Sequence, residues 1–111
     1  MGTHNKSVGQ AGEDAAVGWL ADRGIRTVER NWRCRDGELD IVASEGRTAV
    51  FVEVKTRTST VVGHPFEAVT ARKLARLRRL AALWLAAHPG ARPAALRIDA
   101  CLLYTSPSPR D

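Results

Sequence analysis

No stretch of this chain approaches the ~20 consecutive apolar residues that a membrane-spanning helix needs. The first twelve residues, Met1 to Gly12, are polar and hold no apolar segment of the kind a secretory signal carries. Cysteine is scarce: Cys34 and Cys101 stand alone, with no C-x-x-C pair and no histidine at zinc-finger spacing. That spacing gives no sign of a zinc module, and two reduced thiols in a cytoplasmic protein are expected, with a Cys34–Cys101 disulfide the alternative left open. Internal repeats are also absent, so a solenoid is excluded. What remains is a chain of 111 residues, 44% hydrophobic and 26% charged, suited to one domain with a modest core. Its charge is lopsided, with 17 Lys and Arg against 12 Asp and Glu, a net +5. Such a balance favours polyanions, nucleic acid first and an anionic membrane surface second.

Ser7 and Gln10 have the spacing of a capping box and predict a helix from there to Gly24, after a flexible stretch over residues 1–6. Ala16, Val17, Trp19 and Leu20 give that helix an apolar side. Glu13 lies four residues before Val17 and shares the stripe, either as an ordinary first-turn carboxylate or as part of an acidic patch. Ile25 to Cys34 reads as a strand, Asp36-Gly37 as a hairpin turn, and Glu38 to Ser44 as a second strand. Glu45-Gly46-Arg47 turns the chain into a third, central strand over Thr48 to Arg57. The three make an antiparallel meander. A polar loop from Thr58 to Pro65 contains His64, read as an ordinary loop histidine.

A second helix is predicted between Phe66 and Ala87, with Thr70 available as an N-cap, and His88-Pro89-Gly90 ends it. Leu74, Leu77, Ala81, Trp84 and Leu85 form its core face. Five of the eight residues from 72 to 79 are basic, with no acidic residue between them. Arg72, Lys73, Arg76 and Arg79 are therefore candidates for phosphate contacts, against the alternative of a plain solvated face. Leu96 to Leu103 reads as a fourth strand, free to lie parallel to a neighbour because a helix precedes it. The Pro-containing residues 104–111 read as a disordered, non-native tail.

Chemistry concentrates in two runs, Gly37-Glu38-Leu39-Asp40-Ile41-Val42-Ala43 and Phe51-Val52-Glu53-Val54-Lys55-Thr56-Arg57. Side chains alternate between faces on a strand. Glu53 and Lys55 are thus expected on one face and Val50, Val52 and Val54 on the other. Leu39 and Ile41 are likewise expected on one face, opposite Glu38 and Asp40. Paired as a hairpin, the runs converge Asp40, Glu53 and Lys55 on one patch. Desolvating two carboxylates there is costly unless a cation compensates. Mg²⁺ typically takes one or two carboxylates and keeps several waters. Asp40 and Glu53 can supply these, with Glu13 as a third carboxylate and Lys55 beside the reacting atoms.

These runs, with Gly9-x-x-Gly12-Glu13, Arg30-Asn31-Trp32-Arg33, Lys73 and Arg97-Ile98-Asp99, resemble the YraN-type uncharacterised protein family. That family is similar to the PD-(D/E)XK nuclease superfamily and, within it, to archaeal Holliday-junction resolvases. The resemblance implies an α/β restriction-endonuclease-like domain over residues 1–103, with an αβββαβ core and a mixed sheet flanked by helices. It implies Asp40, Glu53 and Glu13 as ligands of Mg²⁺ or Mn²⁺, Lys55 as the catalytic lysine, and Glu13 as the helical glutamate of the site. Only the Ser-Pro tail departs from the family pattern.

The expectation is a Mg²⁺-dependent endonuclease acting on DNA, including branched or structured DNA, with Arg57, Arg72, Lys73, Arg76 and Arg79 contacting nucleic acid. A homodimer would suit symmetric junctions. The alternative from another class is a nucleic-acid-binding accessory protein whose nuclease-like site is weak or unused. In a third reading Glu53 and Lys55 are a structural ion pair. A membrane partner is not expected.

Overall fold

The computed structural model describes residues 3–58 and 70–105. Its elements run α1 (Thr3–Ala21), β1 (Arg26–Cys34), β2 (Gly37–Glu45), β3 (Thr48–Thr58), α2 (Ala71–Ala87) and β4 (Ala95–Thr105). The sheet order is β1-β2-β3-β4. The first three strands are antiparallel, and β4 joins β3 in parallel, with Phe51 opposite Ile98 and Glu53 opposite Ala100. This is the expected αβββαβ order with a mixed sheet.

Both faces of the sheet are covered, which is why β2 and β3 carry consecutive apolar residues rather than strict alternation. On one face Ala16 and Leu20 of α1 pack with Ile25, Ile41, Ala43, Val50 and Val52. On the other, Leu77, Leu80, Ala81 and Trp84 of α2 pack with Leu39, Val42 and Phe51. Leu80, fully buried, belongs to the helix face that sequence spacing assigned to its neighbours. Trp19 instead stands 47% exposed. Its ring carries the Arg23 guanidinium 3.5 Å from its centroid, an exposed cation–π pair in place of core packing.

Helix α1 starts four residues before Ser7, so Ser7 and Gln10 lie inside it and do not mark its start. Residues 3–6 belong to the helix, and His4-Asn5-Lys6 contains nothing that breaks one. The C-terminal stop is as expected. Gly24 takes φ +80°, Ile25 N–H bonds back to Leu20 carbonyl and Gly24 N–H to Ala21 carbonyl, each at 3.0 Å. That pair of bonds, with Ile25 and Leu20 in one apolar cluster, is a Schellman stop.

The first hairpin loop is Arg35-Asp36, with Gly37 the first residue of β2 at φ +145°. A Cβ on Gly37 would meet Leu80 Cδ1 at 3.4 Å, so the glycine serves both the turn and the approach of α2. Thr70 caps α2 by accepting the Lys73 N–H at 3.0 Å. Strand β4 continues through Tyr104 and Thr105, two residues into the stretch expected to be a tail, because it pairs there with Arg57 and Thr58. His64, residues 66–69 and residues 106–111 lie outside the described residues.

One expectation about faces fails. Leu39 packs on the α2 side while Ile41 packs on the α1 side. Residues two apart on a regular strand share a face, so β2 reverses at Asp40.

Candidate metal and nucleic-acid site

The reversal sets the geometry of Asp40. The ladder between β2 and β3 begins at Ile41 opposite Val52, leaving Asp40 just beyond it. In place of a main-chain acceptor, Asp40 Oδ2 accepts the Val54 N–H at 2.8 Å. A carboxylate thus stands where the strand pairing ends, fixed to the residue between Glu53 and Lys55.

Burial is the main reason that the Asp40 carboxyl is pushed up to about 6, and the charges of Glu53, Glu13 and Glu38 push it further, while the Val54 hydrogen bond opposes them. All three acidic neighbours come from runs singled out in the sequence. Folding therefore gathers negative charge around a partly desolvated carboxylate.

Glu53 is 15% exposed, and its Oε2 lies 3.0 Å from Lys73 Nζ at the start of α2. Its charge groups Lys73 with the helix arginines, and its ammonium pairs with Glu53. The phase of the helix contained that signal. Lys73 precedes the buried Leu77 by four residues and so shares the core stripe, while Arg72, Arg76, Arg78 and Arg79 point outward and are exposed. Those four arginines have no acidic partner among the described residues, as a surface for anions requires. Arg57 pairs with Tyr104 in the backbone ladder, and its side chain lies outside the described residues.

Lys55 follows Glu53 by two positions on β3, is half-buried, and is already engaged by neighbouring groups. Glu13, also 15% exposed, sits near enough to raise Asp40, but its cation is Arg30, whose Nη2 is 3.5 Å away. The same nitrogen is 2.7 Å from Asp14. Gly12 explains how α1 comes so close: a Cβ there would stand 2.5 Å from Thr56 Oγ1 of β3. Asp99, in the Arg97-Ile98-Asp99 segment, is held by Arg97, which also reaches Glu45 at 2.8 Å. It takes no part in the carboxylate group.

Asp40 and Glu53 are hard oxygen donors suited to Mg²⁺ or Mn²⁺. Among the described residues, no three or more His, Cys, Asp or Glu side chains are grouped so as to hold a metal ion. Two carboxylates completed by water are compatible with that finding, and Glu13, paired with Arg30, does not group with them as a third.

A sequence model of the uncharacterised protein family UPF0102, the YraN-type family, matches residues 12–103. The chain belongs to that family. The UPF0102 match spans Glu13, Asp40, Glu53, Lys55 and Lys73 together. The chain is similar to a UPF0102 protein of Beutenbergia cavernae, 61% identical over 93 residues covering 84% of this chain and 78% of the relative. A UPF0102 protein of Kineococcus radiotolerans is 55% identical over 84% of this chain and 76% of its own length. One from Mycolicibacterium vanbaalenii is 52% identical over 88% and 81% respectively. Among the described residues of this UPF0102 chain, no helix is long and apolar enough to cross a membrane.

Proposed function

We propose that this UPF0102 protein is a Mg²⁺- or Mn²⁺-dependent nuclease of the restriction-endonuclease-like kind, hydrolysing phosphodiesters in DNA, branched or structured DNA included. The observation that carries the reading is Asp40: a partly buried carboxylate, raised to about 6, surrounded by further carboxylates and fixed beside the Glu53-x-Lys55 run. Each acidic neighbour has a cation of its own, and a partly buried carboxylate among them favours a further cation at Asp40. Asp40 and Glu53 would hold it. When bound, the ion supplies Lewis-acid activation of the scissile phosphate and of the attacking water. Lys55 orients that water and offsets charge building on the phosphoryl oxygens. The 3′ oxygen leaves in line, and the product keeps a 5′ phosphate. Arg72, Arg76 and Arg79, exposed on α2, anchor the sugar–phosphate backbone without reading sequence.

One observation favours the second reading, a nucleic-acid-binding accessory protein with an unused site. Lys73 already neutralises Glu53 at 3.0 Å, so part of the demand for a metal is met from within the chain. A panel of labelled linear, nicked, flapped and four-way DNA incubated with Mg²⁺, Mn²⁺ or EDTA separates the two. Cleavage that needs metal supports the nuclease; salt-sensitive binding to the same DNA with no cleavage supports the accessory protein.

A further inference from the structure

Asn31 is the one non-glycine residue with positive φ among the described residues, at φ +56°, and it lies in the interior of β1. Asparagine tolerates the left-handed region better than most side chains, but in mid-strand it is out of place. Its effect is visible on both sides. Arg30 reaches Glu13 and Asp14 on α1, whereas Trp32, two residues on, packs with the α2 cluster and sets its ring 6.3 Å from His88. Strand β1 therefore reverses its faces at Asn31.

Strand β2 reverses at Asp40. The register pairs Arg30 with Ile41 and Trp32 with Leu39, which puts Asn31 opposite Asp40. The two reversals coincide, so Arg30 and Ile41 meet on the α1 side and Trp32 and Leu39 on the α2 side with no slip in pairing. Had β1 run on regularly, Arg30 and Trp32 would share a face and their partners could not be split between two cores. The left-handed residue in β1 is thus the partner of the bend that carries Asp40 off the ladder and onto the Val54 amide.

We propose that Asn31 is a positioning residue of the carboxylate site, acting through its backbone conformation to aim Asp40 at Val54 and toward Glu53. Its consequence for metal binding rests on the function proposed above; its consequence for the Asp40–Val54 hydrogen bond does not. Glycine enters the left-handed region freely, whereas alanine and β-branched residues resist it. Asn31→Gly, Asn31→Ala and Asn31→Val are compared by Val54 amide hydrogen exchange in metal-free protein and by Mn²⁺ calorimetry. Asn31→Ala is expected to speed Val54 exchange and weaken Mn²⁺ by about tenfold or more, the scale of losing a supporting residue around a ligand. Asn31→Gly is expected to keep both near wild type, and Asn31→Val to lose more than alanine where it folds. Unchanged Val54 protection in Asn31→Ala would overturn the proposal, as would damage in Asn31→Gly equal to that in Asn31→Ala. A wild-type protein that takes up no Mn²⁺ would refute the metal reading alone, and Val54 exchange would still decide the role of Asn31.

Discussion

Two carboxylates, Glu29 beside the C-terminal end of α2 and Asp40 where the β2–β3 ladder ends, meet opposite surroundings. At the C-terminal end, Glu29 accepts the Trp84 indole N–H at 3.0 Å, and its Oε1 is 3.3 Å from His88 Nε2. Trp84 and His88 stack at 4.0 Å, and His88 Nδ1 is 2.7 Å from the Trp84 carbonyl. Glu29 closes a set of groups that satisfy one another, so that corner asks for no ligand. Where the ladder ends, Asp40 accepts the Val54 N–H, and the charges of Glu53, Glu13 and Glu38 raise its carboxyl although each of those three is paired with a cation of its own. A half-buried acid alone is a poor sign of function. The sign lies in whether the fold supplies enough donors and cations to satisfy it.

The largest difference between the two places should appear in chemistry. Lys55→Ala is expected to lower single-turnover DNA cleavage by ~10²–10³, the usual cost of one electrostatic group acting in the transition state, with little change in DNA affinity. Glu29→Gln should cleave at the wild-type rate, since its amide oxygen still accepts the Trp84 N–H. A Lys55→Ala protein that melts normally and cleaves at full rate would assign Lys55 to structure.

Stability separates the same two places with opposite signs. Glu29→Ala leaves the Trp84 N–H, on a side chain 4% exposed, without its acceptor, and should cost about 1–3 kcal/mol in urea unfolding. Asp40→Asn should do the reverse in metal-free protein. The folded carboxyl titrates near 6 against an ordinary 3.8, so the folded state binds the proton more tightly than the unfolded state between those values. Stability is therefore lost as pH rises through that window, and the full penalty persists above it. Asp40→Asn removes the penalty, so its melting temperature should exceed wild type at pH 8 and match it near pH 4. A variant less stable at pH 8 would place Asp40 with Glu29 as a structural acid.

The smallest effect belongs to the exposed arginines. Replacing Arg72, Arg76 and Arg79 with Gln should flatten the slope of log affinity against log salt by up to ~0.9 for each lost contact on duplex DNA. An unchanged slope would make that face merely solvated.

The contrast also marks what the sequence could reveal. The order of elements, the Gly24 stop and the Thr70 cap were readable because turn and capping chemistry is local. Asp40, Glu53 and Lys55 were readable because strand spacing and charge single them out within apolar runs. The face reversal at Asp40 was hidden, since period-two reading presumes a regular strand and the cause lies across the sheet at Asn31. Lys73 was placed by its charge, though its phase relative to Leu77 pointed inward. The early start of α1 was missed because Ser7 and Gln10 imitate a cap when no upstream breaker marks the true start.

Mn²⁺ calorimetry from pH 5 to pH 8 tests whether Asp40 and Glu53 together form a divalent-cation site. Because the proton and the metal compete for Asp40, affinity should be nearly level above about pH 7 and fall by about tenfold per unit well below 6. Asp40→Asn and Glu53→Gln should each bind at least about tenfold more weakly at pH 8. Binding that ignores pH and is unchanged in both variants, or no binding by the wild-type protein, would mean that Asp40 and Glu53 hold no metal.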